Sequence, residues 1–508
     1  MFASMYTRRN LRLVVVALIL AWALWQRYGS ATHSAPAPKV IHHAVTEPRV
    51  LVRGGVRLRE CDLPATSVPF PPVAAYCATV DVPENRAEPH GRQVHLNVAI
   101  VPSSAEHPAR DAVTFLDGGP GGAAVADYPL VAHQFAPLLK TRDVVLIDQR
   151  GTGHSNGFEC SPGKEPSTEA RVRACAVEVA RQADPRHYAT DDATADIEDV
   201  RRRLGYPQLT VIGVSYGTRV AQVYARHYPA AVRALVLDSP VPNALTLGQE
   251  HARNLENTLQ TRFKACVADS ACKARFGDPY TTLQTLLQRL DGHPIDVTIT
   301  DPVTHGSRRE HLTRAGLASL VRFYAYSPIT TALLPLTLDE AKAGHYDPLL
   351  GQLLLVQSDL STRLDGPMEL SVLCTEDAPL LRVQADDADT VLGTGFVLEA
   401  QTACANWPHR SMPGGFHDPL TGPVPTLLLS GEWDPVTPPR YAEEIARHLQ
   451  HARVLTLPGQ GHSVMGIGCA ADVVARFVEH LDFEHLDAEC LARERATPFF
   501  VGYAGATP

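Results

Sequence analysis

The chain has 508 residues, 45% hydrophobic and 20% charged, with 35 glycines and 40 prolines. That length fits one large core carrying an insertion, or two to four folding units, and the composition excludes a disordered or collagen-like chain. The net charge of −9 contains no basic block, so nothing draws a phosphate backbone and nucleic acid is a poor candidate partner.

At the start, Thr7-Arg8-Arg9-Asn10-Leu11-Arg12 precedes an apolar run from Leu13 to Trp25, followed by a small, polar, proline-bearing stretch from Gly29 to Pro38. The run is shorter than the roughly 20 residues that span a bilayer. A charged start, a short apolar centre and an Ala/Ser-rich flank form the layout of an export signal. Residues 1–38 are read as that signal, with an uncleaved inner-membrane anchor as the alternative, because Gln26-Arg27 makes an awkward flank. Arg8-Arg9 also fits the twin-arginine export pattern. Either way the mature chain faces an oxidising space, periplasmic or extracellular, and meets a membrane only through this segment.

In such a space ten cysteines read as disulfides. They fall into sequence neighbours: Cys61 and Cys77, Cys160 and Cys175, Cys266 and Cys272, Cys374 and Cys404, Cys469 and Cys490. These neighbours are expected to bond, and closing a loop of about fifteen residues stabilises by roughly 3 kcal/mol in the chain-entropy model. No CxxC pair or zinc-type Cys-His spacing occurs, so neither a metal nor another cofactor is expected.

Residues 39–58 read as a linker. The segments around Cys77 to Val82 and Gln93 to Val101 alternate and carry β-branched residues, as paired antiparallel strands do. Then the style changes. Ala112 to Leu116, Asp143 to Ile147, Leu209 to Val214, Ala234 to Leu237 and Pro425 to Ser430 are short apolar runs without alternation, as strands buried on both faces of a parallel sheet require. Helical spacing fills Thr194 to Leu204 and Thr218 to His227, the latter stopped by Tyr228-Pro229. This series predicts an α/β chain with a doubly wound, mostly parallel sheet and sites at the carboxyl ends of its strands. From Val241 the rhythm gives way to a long, mainly helical region. One catalytic domain, residues 59–241 and 423–495, is therefore expected to carry a cap at 242–422 and a tail at 496–508.

Gly213-Val-Ser215-Tyr-Gly217 is a G-x-S-x-G between an apolar run and a helix, the context in which a serine stands on a sharp strand-to-helix turn. A serine hydroxyl needs a base, and the base an orienting acid; in this fold class they follow in the order Ser, Asp or Glu, His. Asp434 in Leu429-Ser-Gly-Glu-Trp-Asp434 and His462 in Pro458-Gly-Gln-Gly-His462 each follow a strand. Asp238 is the substitute acid, and Glu432 reads as a solvated or substrate-side carboxylate. The oxyanion needs two donors. The Tyr216 N–H is one, and the loop Phe115-Leu-Asp-Gly-Gly-Pro-Gly-Gly122 supplies the other, Gly119 first and Gly118 next.

Together, Gly118-Gly-Pro-Gly-Gly122, Asp148-Gln-Arg-Gly-Thr-Gly-His-Ser155, Gly213-Val-Ser-Tyr-Gly217 and Gly461-His462 followed by Cys469 and Cys490 resemble the α/β-hydrolase fold peptidases of the prolyl aminopeptidase and tripeptidyl aminopeptidase group. The likeness runs from about Arg59 to Leu491. Asp117 stands where relatives usually have His or Asn, and Ser463 where Gly is common. The resemblance implies an α/β-hydrolase fold, an Asp-Gln-Arg-Gly stretch that packs beneath the active site, and hydrolysis of peptides from the free amino end under a cap that limits substrate length. Such specificity needs carboxylates to receive an ammonium group; Glu376 and Asp377 are the candidates, with a solvated surface pair as the plainer reading. Tyr324 and Tyr326 either line an apolar subsite or pack the cap. A carboxylesterase or lipase with the same triad is the alternative function, and a non-catalytic binding protein of this fold the remote one. Oligomeric state is not legible.

Overall fold

The computed structural model describes residues 49–65, 70–158, 160, 167–363 and 366–506; the export or anchor segment read at 1–38 lies outside them. Strands β1 (Val50–Arg53), β2 (Val56–Leu63), β3 (Val73–Pro83) and β4 (Gln93–Val101) form an antiparallel meander. Strand β4 pairs antiparallel with β6 (Val144–Ile147). From there β6, β5 (Ala112–Leu116), β7 (Leu209–Val214), β8 (Val232–Asp238), β11 (Thr426–Gly431) and β12 (Ala452–Leu457) lie side by side and parallel, completing a ten-stranded sheet.

The central strands lack alternation because both faces are covered. In β5, Ala112 and Leu116 join one core while Val113 and Phe115 join the other. On the first face lie α2 (Thr168–Val179), α3 (Thr190–Leu204), α4 (Tyr216–His227) and α13 (Pro439–Ala446); on the second, α1 (Ala124–Phe135) and α14 (Ala470–His480). Residues 50–58, read as the end of a linker, instead form β1 and the start of β2. They were missed because an edge strand is half solvated: Val50 and Val52 are exposed, which blunts the pattern that marks a buried strand.

Between β8 and β11 the chain leaves the sheet. It forms α5 (His251–Ala268), α6 (Ser270–Phe276), α7 (Pro279–Arg289), a hairpin of β9 (Ile295–Thr300) and β10 (Ser307–Leu312), α8 (Arg314–Tyr324), α9 (Pro328–Lys342) and α10 (Asp347–Arg363). Apart from α6, these elements share a core of their own around Leu259, Phe263, Leu317 and Val321. The last two helices of the insertion, α11 (Gly366–Glu376) and α12 (Gly395–Cys404), instead bury Val372, Leu373 and Val397 in the catalytic domain's core.

All five neighbouring cysteine pairs are bonded, which fits an oxidising compartment. In the tail, Phe499 completes a cluster with Phe276, Ala332 and Leu336, and the Phe500 N–H donates to Ala332 O at 3.1 Å. No helix among the described residues is long and apolar enough to cross a membrane.

Candidate active site

Ser215 stands between β7 and α4 with φ 54° and ψ −122°, a backbone conformation that costs of order 1–3 kcal/mol for a residue with a side chain. Its neighbours have to be glycine. A Cβ at Gly213 would lie 2.5 Å from Gly217 O, and one at Gly217 would lie 2.2 Å from Leu116 O. The Ser215 N–H donates to Asp238 O at 3.0 Å, and Thr218 Oγ1 donates to Ser215 O at 2.5 Å, so the turn is pinned on both sides.

Asp434 and His462 follow β11 and β12, the two strands beyond β8. His462 Nδ1 lies 2.8 Å from Asp434 Oδ2. The acid is held in turn: its Oδ1 accepts the N–H groups of Val436 and Thr437, each at 2.8 Å, and its Oδ2 accepts Thr437 Oγ1–H at 2.8 Å. Burial pushes the Asp434 carboxyl up, but the His462 charge and these hydrogen bonds outweigh it and hold the group below the ordinary carboxylate range. Burial pushes His462 down, and Asp434 outweighs it in the other direction, leaving the imidazole more basic than a free histidine. With Nδ1 donating to the acid, Nε2 is left to accept a proton.

Asp238, the substitute acid, does different work. It is 1% exposed and accepts the Val464 N–H at 2.9 and 3.0 Å and the Met465 N–H at 2.9 Å. Because Asp238 O also holds the nucleophile's N–H, this one residue sets the serine turn against the histidine loop. Glu432 is exposed, and its carboxylate accepts the Gly459 N–H at 2.7 Å, bracing the same loop rather than facing a substrate. From the insertion, Tyr326 O accepts the His462 N–H at 2.8 Å and its ring meets the imidazole edge-on at 5.0 Å. Tyr324 stays in the insertion's core.

On the oxyanion side, Tyr216 opens α4, so its N–H has no intrahelical acceptor. Gly118 packs against the nucleophile, since a Cβ there would lie 3.1 Å from Ser215 Cβ. Its N–H is already given to Asp117 Oδ1 at 2.7 Å, while Gly119 has φ 112° before a cis Gly119-Pro120 bond and lines the cavity with Ser215. Beneath the site, Arg150 is fully buried and forks onto Asp196 with two bonds of 2.7 Å, a structural role for the Asp-Gln-Arg-Gly stretch.

Ser215 opens into a cavity of about 80 Å³ that Gly119, His251, Arg322, Tyr326, Glu369 and Phe396 help to line. A larger groove, about 680 Å³, follows the open edge of β12 and touches none of the triad; the chemistry selects the smaller. Glu376 and Asp377 do not line the cavity. Both are buried, and Arg219 Nη1 lies 2.7 Å from Asp377 Oδ2 and 3.5 Å from Glu376 Oε2. Buried arginine needs a counter-charge, which Asp377 supplies while Glu376 accepts the Thr190 N–H beside it, so neither is solvated or open to a ligand. The carboxylate in the cavity is Glu369, two turns earlier on α11, which sequence reasoning missed. Among the described residues no hydrogen bond or ion pair reaches it, and burial pushes its pKa up, with Arg322 opposing. The described residues hold no group of three or more His, Cys, Asp and Glu arranged for a metal.

Residues 111–467 match the α/β hydrolase fold family. The chain is 25% identical over 441 residues to the tripeptidyl aminopeptidase of Streptomyces lividans, covering 78% of this chain and 79% of that one. It is 25% identical over 458 residues to serine protease Hip1 of Mycobacterium tuberculosis, with 80% and 85% covered. The crystal structure of a proline iminopeptidase from Mycobacterium smegmatis aligns with TM-score 0.35 at 16% identity, covering 79% of this chain and 98% of that one.

Proposed function

The chain belongs to the α/β hydrolase fold family, and from that premise we propose that it is an exported serine aminopeptidase that cuts peptides from the free amino end. Ser215 Oγ attacks the carbonyl of the scissile bond while His462 Nε2 takes its proton, and the oxyanion is received by the N–H groups of Tyr216 and Gly119. The amine leaves with the proton from His462. Water, deprotonated by the same imidazole, then cleaves the acyl-serine ester and restores the hydroxyl. Export rests on the layout of residues 1–38 and on five disulfides, bonds that persist in oxidising compartments.

The observation that carries the reading is Glu369, a carboxylate that among the described residues has no hydrogen bond or ion pair and lines the same cavity as Ser215, with only the field of Arg322 acting on it. A buried charge without a partner is costly, so an ammonium ion that completes the pair is favoured over a neutral or acylated end. The test compares aminoacyl nitroanilides with their N-acetyl forms. Acetylation should lower kcat/KM by about 100-fold or more, and Glu369→Gln should raise KM for the free amine while leaving p-nitrophenyl acetate hydrolysis unchanged. Equal cleavage of free and acetylated substrates would refute the aminopeptidase in favour of a general esterase.

A further inference from the structure

The cavity beside Ser215 is short. Its volume is about 80 Å³, whereas sites that bury drug-sized ligands run to roughly 300–1,000 Å³. Three extended residues reach about 10 Å and need a site of the larger kind. One compact residue does not.

One wall is built to stay. Gly248 has φ +87°, and a Cβ there would lie 2.2 Å from Phe396 Cε1, so the ring of Phe396 occupies the room a side chain would take. That ring is flanked by His251, centroid to centroid 5.1 Å, and by the Arg322 guanidinium, 5.3 Å from its centroid. Arg322 Nη2 lies 3.3 Å from His251 Nδ1. Burial, with Arg322 adding to it, pushes His251 down to about 3, so at neutral pH its Nδ1 is an acceptor for the guanidinium. Helices α5, α8 and α12 thus each contribute one member of a mutually braced wall, and Glu369 of α11 lines the same small space.

We infer that this pocket admits one N-terminal residue, its ammonium at Glu369 and a small or medium apolar side chain among Leu245, Leu247 and Leu373, so that the enzyme releases single amino acids, with Phe396 as the residue that stops a longer segment. This rests on the aminopeptidase reading.

The test is mass spectrometry of the products that the full chain makes from a free hexapeptide of alternating leucine and alanine and from its N-acetyl form. The free peptide should shorten one residue at a time, and kcat/KM for leucyl nitroanilide should exceed that for a tripeptidyl nitroanilide by more than about 100-fold. Phe396→Ala, with Phe396→Leu as the milder variant should the first fail to fold, should add dipeptide and tripeptide products. Release of tripeptides by the unaltered enzyme from the free peptide alone overturns the single-residue pocket and leaves the aminopeptidase standing. Equal cutting of the acetylated peptide overturns both. An unchanged product pattern in both folded Phe396 variants overturns the assignment of Phe396.

Discussion

Replacing Glu376 by glutamine should stabilise the protein at alkaline pH and leave its peptidase activity alone. Glu376 Oε1 accepts the Thr190 N–H at 2.6 Å, and Arg219 gives its closer contact to Asp377. Burial pushes the Glu376 carboxyl up, Arg219 pulls it down and Asp377 pushes it up again, so that it reaches about 8 from an ordinary 4.5. The folded state therefore holds this proton more tightly than the unfolded chain. The associated stability is complete below pH 4.5 and is lost as pH rises towards 8. At about 1.4 kcal/mol per pKa unit, the rise from 4.5 to about 8 sets a ceiling near 5 kcal/mol, part of which coupling to Asp377 will absorb. A glutamine keeps an acceptor for Thr190 and does not titrate. Thermal melts of the two proteins at pH 5, 6, 7 and 8 and constant ionic strength should diverge, the glutamine variant gaining on wild type by up to about 5 °C across the range, at roughly 1 °C per kcal/mol for a chain of this length. A difference in melting temperature that stays constant from pH 5 to 8 would refute the reasoning. KM for free-amine substrates should not move, in contrast to Glu369→Gln.

Three further outcomes are expected. Asp434→Asn should lower kcat by about 10⁴-fold. Because His462 must be neutral to accept the serine proton and owes its raised pKa to Asp434, the acid limb of the pH–rate profile should lie above the ordinary histidine value in wild type and shift to lower pH in the variant. Asp238→Ala should leave the Val464 and Met465 N–H groups buried without acceptors, at about 1–3 kcal/mol each, and cut turnover by displacing the histidine loop; unaltered melting and kinetics would count against its bracing role. Replacing Cys469 and Cys490 together by alanine opens a loop with a sequence separation of 21 and should cost about 3 kcal/mol, read as a lowered urea midpoint under non-reducing conditions.

The serine turn and the paired Asp434 and His462 were legible because each sits where local sterics or topology leave few choices. The serine turn tolerates only glycine at 213 and 217, and a parallel sheet delivers its functional loops at one end. Choosing between Asp434 and Asp238 was harder, since both follow buried strands. What separates them is contact with Nδ1 of His462, set by strand order, and β8 lies between the nucleophile's strand and β11. The oxyanion loop was legible, with Gly119 ranked ahead of Gly118; what sequence does not show is the capture of the Gly118 N–H by the Asp117 carboxylate, a contact that depends on side-chain direction. The edge strands escaped because half-solvated strands lose the contrast on which periodicity depends.

The misplaced carboxylates show why a polar residue cannot be assigned without its partner. Glu376 and Asp377 beside Cys374 looked like a receptor for a cation, and they are one; the cation is Arg219. That arginine is four residues after the nucleophile, on a helix buried from Tyr216 to Ala225, and a charge in such a helix demands acids from elsewhere in the chain. The demand was readable from sequence and would have claimed both carboxylates. Glu369, seven residues before Glu376 and about two turns away on one helix, would then have been the remaining acid of α11. Its approach to Ser215 depends on α11 docking into the catalytic core through Val372 and Leu373 while residues from α5, α8 and α12 close over it, an arrangement of four segments distant in sequence. If that arrangement sets the length of the released piece, enlarging the pocket at Phe396 should change the product without moving the acid limb that His462 and Asp434 set.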